Sequence, residues 1–199
     1  MEITALKIVS GDCIKITISS RLSFFIRTVY LQTFPVDRLI VGEVLSEEDY
    51  QELENVGCIF SAEHDAMNFL ARAEQNRFLL SQKLLKKHHS KEAIAIALDY
   101  LESKKYLDDK RYAEAWLRNR SITKAEGRTK LEAGLCSKGI DRKIAKQAID
   151  TFFENTSEEE LFNKAVSKFK RMGKKGTKLE ESLFRAGFPW KLIKHIHIS

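Results

Sequence analysis

The residues of this sequence best equipped for chemistry are an adjacent carboxylate pair, Asp108-Asp109, two histidine pairs, His88-His89 and His195-x-His197, and three cysteines, Cys13, Cys58 and Cys136. Two carboxylates can share general acid and base work when a substrate lies between them. Here the pair sits in Leu107-Asp108-Asp109-Lys110-Arg111-Tyr112, which reads as a loop entering a helix, where Asp accepts backbone N–H bonds as a cap. The cysteines are odd in number and far apart, without the close spacing of a zinc or redox motif, and read as reduced, mostly packed thiols. Neither histidine pair has the nearby Cys or second ligand pair that a structural metal site needs. A phosphate-cradling glycine loop, a GxSxG elbow, an HExxH helix and a dinucleotide fingerprint are all missing from the sequence. A binding protein is expected, with no metal or organic cofactor and no catalysis.

What remains is positive charge. The formal net charge is +6, unevenly spread: residues 1–60 carry 5 Lys+Arg against 9 Asp+Glu, net −4, and residues 61–199 carry 29 against 19, net +10. A basic body favours phosphate backbones or an acidic protein surface as partner. No apolar run approaches the roughly 20 residues of a membrane span, and the N-terminus lacks a basic segment followed by an apolar core and a cleavage site, so a cytoplasmic protein away from membranes is expected.

The elements that would position these charges change character along the chain. Ile14, Ile16 and Ile18 alternate with Lys15, Thr17 and Ser19, the period of a half-buried strand, and Gly11-Asp12 separates them from an extended run over 3–9. A third extended run, Phe24 to Leu31, completes a small antiparallel sheet that Pro35 ends. Ser46-Glu47-Glu48-Asp49 predicts a capped, acid-rich start of a short helix reaching about Asn55. Beyond Ser61 a pattern repeats: Leu80, Leu84 and His88-His89-Ser90 recur as Leu131, Leu135 and Gly139-Ile140-Asp141, then as Leu179, Leu183 and Gly187-Phe188-Pro189. Two Leu four apart share a helix face, Gly suits a left-handed helix end, and Ser, Asp or Pro suits the next helix start. Amphipathic segments precede each pair, at Ala66–Ala73, Tyr112–Asn119 and Leu161–Met172, the last with an apolar stripe of Phe162, Val166, Phe169 and Met172. The fold class is therefore mainly α. Three tandem three-helix modules, over 61–106, 107–155 and 156–199, form an extended curved array after a β-containing extension over 1–60.

At these residues a resemblance emerges. Arg72-Ala73-Glu74-Gln75-Asn76-Arg77 with Leu80, Lys83 and Leu84, then Leu107-Asp108-Asp109-x-Arg111-Tyr112-Ala113, Arg118-x-Arg120 and Gly127-x3-Leu131-x3-Leu135-x2-Lys138-Gly139-Ile140-Asp141, resemble the first and second modules of the RecX family of recombination regulators. Gly187-Phe188 and Ile193 fit its third module, so the likeness runs over about residues 62–197. His88-His89 departs from the family's Gly followed by an apolar residue, and Gly134 stands where Glu is common. The resemblance implies a monomer that lies in the groove of the RecA–DNA filament, meeting RecA and DNA, and that restrains filament growth, ATP hydrolysis and strand exchange. On this footing the contact candidates are Arg118, Arg120, Lys124, Arg128 and Lys130 in the second module, and Lys164, Lys168, Arg171, Lys174, Lys175 and Lys178 in the third. Arg111 and Arg120 are equally placed to brace helices by pairing with Asp or Glu. Two other readings stay open: a stand-alone DNA-binding protein built from helix-turn-helix-like modules, and a helical scaffold for an unrelated acidic protein.

Overall fold

The computed structural model describes residues 1–19, 22–194 and 196. Three strands, β1 (Ile3–Ser10), β2 (Cys13–Ile18) and β3 (Ser23–Arg27), form one antiparallel sheet in sequence order. Gly11, at φ +49°, makes the tight turn that sets Ser10 opposite Cys13. The alternation of β2 buries Ile16 and Ile18 beside Ile3 and Ile26.

The third strand is shorter than expected: it stops at Arg27, and Thr28–Tyr30 turns as a 3-10 helix. The cause is Glu63. Arg27 donates to its carboxylate from Nε at 2.8 Å and Nη2 at 2.5 Å, and Tyr30 Oη donates at 2.8 Å. Residues 27 and 30 would point to opposite faces of a continuous strand, so both can reach one carboxylate only if the chain turns between them.

A larger departure is the helix α1 (Glu47–Leu70). It starts as expected, with Ser46 Oγ accepting from Asp49 N and Asp49 accepting from Ser46 N, both at 3.1 Å. It does not end near Asn55. It runs on through the boundary expected after residue 60 and absorbs most of the separate helix expected at Ala66–Ala73. Its face of Leu53, Val56, Ile59 and Ala62 joins the sheet core, and Ala66 joins a second core with Leu80, Leu84, Ile94, Leu98, Leu101 and Leu107. Mid-helix glycine costs about 1 kcal/mol relative to Ala. A Cβ at Gly57 would lie 2.8 Å from Cδ2 of Phe24 on β3, so glycine lets that ring pack directly against the helix backbone.

Among the described residues eight further helices follow: α2 (Arg77–Leu85), α3 (Lys91–Ser103), α4 (Asp109–Thr123), α5 (Arg128–Cys136), α6 (Arg142–Glu154), α7 (Glu158–Arg171), α8 (Thr177–Arg185) and α9 (Trp190–Lys194). All six leucines of the repeat are buried. Four residues after each second Leu, His88, Gly139 and Gly187 take φ of +66°, +83° and +87°. The next N–H then returns to the carbonyl of that Leu, as His89 to Leu84, Ile140 to Leu135 and Phe188 to Leu183, each at 3.3 Å. The repeat in the sequence is thus one helix-ending turn built three times. Ser90 and Asp141 cap the helices that follow the first two turns. The stripe expected on α7 is truncated, for the helix stops at Arg171 and Met172 is exposed.

By its internal contacts the chain divides into two compact units, Met1–Ala73 with Leu80–Leu107, and Glu74–Leu79 with Asp108–Ser199. The first holds the sheet core and the core of α1, α2 and α3. The second holds a core of α4, α5 and α6 around Leu117, Leu131, Leu135 and Ile149, and one of α7, α8 and α9 around Leu161, Phe162, Leu183 and Phe188.

Candidate functional site

Within the second unit, two glycines let backbone meet backbone. Gly127 N donates to Ala186 O at 2.8 Å. A Cβ on Gly127 would fall 2.3 Å from Gly187 O, and one on Gly187 would fall 2.3 Å from Lys130 N. This contact lays the segment preceding α5 against the end of α8. Beside it opens a groove of about 270 Å³ walled by Lys124, Lys130, Lys168, Lys174 and Arg185, with Glu126 as the single carboxylate in its lining.

The charge of the groove is decided by what holds Glu126. Arg120 grips that carboxylate with Nε at 2.6 Å and Nη2 at 3.0 Å, and its guanidinium lies 5.2 Å over the Trp116 ring. Glu126 is thereby neutralised from outside the groove, and the five wall cations face no unpaired carboxylate of the lining. Lys174 is oriented by donating to Ser182 Oγ at 2.9 Å. Arg185 has Glu181 at 3.7 Å, an exposed pair one helical turn apart that leaves the guanidinium open to a better anion. Convergent cations on a concave surface raise the local potential and suit an extended anion, a phosphate backbone or a run of carboxylates.

Of the contact candidates, Lys124, Lys130, Lys168 and Lys174 meet in this groove. Arg120 and Arg128 have structural duties. Arg128 pairs with Asp150 at 2.9 Å and Glu158 at 3.4 Å and lies 4.3 Å over the Phe153 ring, so it joins the start of α5 to α6 and α7. Arg111 likewise braces, pairing with Glu74 at 2.9 Å. Arg118 is exposed on α4, and Lys164 and Arg171 share another patch of α7. Lys175 lies past Gly173, beyond the end of α7, and Lys178 is exposed on α8. Arg185 was not anticipated from sequence. Its position two residues before Gly187, the glycine that the backbone contact requires, was the available signal.

The other chemistry-bearing residues take structural roles. Asp108 caps α4, accepting from Lys110 N at 2.9 Å and Arg111 N at 3.0 Å, and Asp109 accepts from Arg77 N at 2.8 Å. Asn76, fully buried, caps α2 by accepting from Leu79 N at 2.7 Å and donates to Lys138 O at 3.1 Å. His89 Nε2 lies 2.8 Å from Asp65, which also receives Lys87 at 2.6 Å. His195 and His197 lie outside the described residues. Cys13 is buried, and burial raises its thiol pKa, but Cys58 and Cys136 are exposed, so the expectation of mostly packed thiols fails for two of three. Among the described residues no group of His, Cys, Asp and Glu is arranged to hold a metal ion, and no helix is long and apolar enough to cross a membrane. A cavity of about 830 Å³ in the first unit is walled by Glu47, Glu48, Glu52 and Glu92, the wrong sign for phosphate.

Comparison with known proteins adds an independent line. A family profile described as RecX, second three-helix domain, matches residues 108–149. A regulatory protein RecX of Treponema pallidum is 33% identical over 135 residues, covering 68% of this chain and 82% of the relative. One of Clostridium tetani is 25% identical over 191 residues, covering 88% and 86%. In three dimensions, a crystal structure of a regulatory protein RecX aligns with 100% of this chain and 99% of its own at a TM-score of 0.80 and 20% identity, a likeness of fold. RecX from Lactobacillus salivarius aligns with 71% of this chain and 95% of its own at a TM-score of 0.62 and 24% identity.

Proposed function

Because the chain belongs to the RecX family of regulatory proteins, we propose that it restrains the RecA recombinase by docking the cationic groove of its second unit onto the RecA–DNA filament. The observation that carries this reading is the convergence of Lys124, Lys130, Lys168, Lys174 and Arg185 on one concave surface whose only carboxylate is already bound. Such a surface contacts several anionic groups at once, so individually weak contacts add. The protein acts as a monomer in the cytoplasm, and its role is binding without catalysis.

The test is RecA's DNA-dependent ATPase and strand exchange, measured with the parent protein and with a Lys124→Ala, Lys130→Ala, Lys168→Ala triple variant. These side chains are exposed, so the fold should survive, with a change within about 0.5 kcal/mol per site. The parent should slow ATP hydrolysis, and the variant should lose most of that effect. If the contacts are to phosphate, the salt dependence of binding should flatten by roughly 0.9 in log–log slope for each contact removed. A folded triple variant that restrains RecA like the parent at every salt concentration refutes the assignment. Tight DNA binding with no effect on RecA would select a stand-alone DNA-binding protein instead.

A further inference from the structure

The first unit carries an open surface of the opposite sign. Its cavity of about 830 Å³ lies between α1, α3 and the segment over 30–33, and no Lys or Arg is in its lining. Glu47 and Glu48, in the first turn of α1, and Glu92, in the first turn of α3, are exposed, and among the described residues no cation pairs with them. First-turn carboxylates offset the helix dipole wherever they point. Helix stability does not require three of them, from two helices, to share one cavity lined by no cation. The floor is apolar: Val56, Ile59 and Ala93 are buried there, and Ile96 is left 36% exposed. The fourth carboxylate, Glu52, is already engaged. It accepts from Gln32 N at 2.6 Å, Thr33 N at 2.9 Å and Phe34 N at 3.1 Å, and so pins the third wall. A ligand therefore does not have to order that wall on binding.

We propose that this cavity docks a basic amphipathic segment of a partner protein, whose Lys or Arg side chains meet Glu47, Glu48 and Glu92 while one or two apolar side chains cover Ile96 and the floor. Charge complementarity excludes nucleic acid and acidic peptides. Among the described residues no carboxylate group is arranged to hold a metal ion, so a point cation is not the match. A polyamine would satisfy the carboxylates but brings no branched side chain to the floor. An amphipathic segment supplies both, laying its apolar face between two helices and leaving its charges at the rim. The volume, about 830 Å³, falls within the roughly 300–1,000 Å³ of ordinary ligand sites, which is room for a few side chains and not for a folded domain. Residues 1–60, net −4 in a chain of net +6, steer the same kind of partner. The inference does not rest on the RecA reading, and it gives the N-terminal extension a partner of its own.

The probe is a short fluorescent amphipathic peptide of lysine and leucine, and its binding to the full chain is followed by anisotropy. Cys58 is exposed and lines the cavity, so its alkylation by iodoacetamide should slow severalfold when the peptide is bound, while that of Cys136, exposed in the second unit, should not change. Glu48→Gln combined with Glu92→Gln removes two exposed charge contacts and should weaken the peptide by about threefold to tenfold. Ile96→Ser should weaken it severalfold through the floor. Both variants should stay folded by circular dichroism, and the Lys124, Lys130 and Lys168 triple variant should bind the peptide as the parent does. Absence of binding, equal protection of Cys136, equal affinity for a lysine–serine peptide of the same charge, equal protection of Cys58 by spermidine, or unaltered affinity in either cavity variant would each overturn the proposal. So would self-association in sedimentation velocity that the Glu48 and Glu92 substitutions abolish, because the occupant would then be a second copy. If the peptide fails while the lysine variant still loses its hold on RecA, this inference falls and the filament reading stands. If the peptide binds as described and RecA is untouched, the reverse holds.

Discussion

Gly187→Ala should be the most damaging single methyl that can be added to the second unit. Gly187 sits at φ +87°, in the left-handed region, where an L side chain costs roughly 1–2 kcal/mol. Its new Cβ would also stand 2.3 Å from Lys130 N and 2.5 Å from Lys130 Cβ. The first neighbour is backbone in the opening turn of α5, so relief means parting the two segments. Overpacking of this kind costs about 1–3 kcal/mol. Parting them stretches the 2.8 Å bond from Gly127 N to Ala186 O, which contributes about 0.5–1.5 kcal/mol. The expected loss is therefore about 3–6 kcal/mol. Two companions separate the causes. Gly173→Ala has φ +78° and nothing within 4 Å, and isolates the backbone cost of about 1–2 kcal/mol. Gly127→Ala, at φ −83°, is unstrained in backbone but meets Gly187 O at 2.3 Å, and isolates the contact cost of about 1–3 kcal/mol. Urea unfolding followed by circular dichroism should rank Gly187→Ala as most destabilised. Wherever it stays folded, it should bind polyanions more weakly although every groove cation is intact. A Gly187 variant no less stable than the Gly173 variant would show that the backbone contact is not made.

Glu63, 6% exposed, holds both Arg27 and Tyr30, so Glu63→Gln should cost about 1–3 kcal/mol in thermal or denaturant unfolding by leaving the half-buried Arg27 guanidinium with Asp12 as its remaining carboxylate. Burial, and then the bond to Glu63, raise the Tyr30 phenol pKa above its ordinary 10.0. The stability this supplies is present in full below pH 10 and is lost as pH rises past 10 toward the folded value; Tyr30→Phe should therefore lose less stability between neutral and strongly alkaline pH than the parent. His88→Gly places the tolerant residue at φ +66° and should raise stability by about 1 kcal/mol, seen as a higher melting temperature; a lower one would contradict the turn assignment. Arg120→Ala leaves the Glu126 carboxylate, 11% exposed, without its partner and should cost about 1–3 kcal/mol; an unchanged melting temperature would return Arg120 to the set of free contact residues.

Period and turn chemistry were legible from the residues alone. The Leu-x3-Leu pairs, the residue four positions later and the caps Ser90, Asp108 and Asp141 are local, because helix faces and helix ends are governed by neighbours within a few residues. The alternation of Ile14, Ile16 and Ile18 marked β2 for the same reason. What local rules could not supply came from partners distant in the chain. Glu63 drew Arg27 and Tyr30 together across more than 30 residues and shortened β3. Phe24 packs where a Cβ on residue 57 would stand, and the sheet core carried α1 through a position where helix propensity alone favours an end. The same holds at the site. Sequence marked the basic residues and gave Arg120 a bracing role as readily as a contact role, but it could not say which were held, since Arg128 looks no different from Lys124 and Lys130 until Asp150 and Glu158 are in place. A charge becomes available for binding only when no close, partly buried carboxylate holds it, and whether one does is set by tertiary packing.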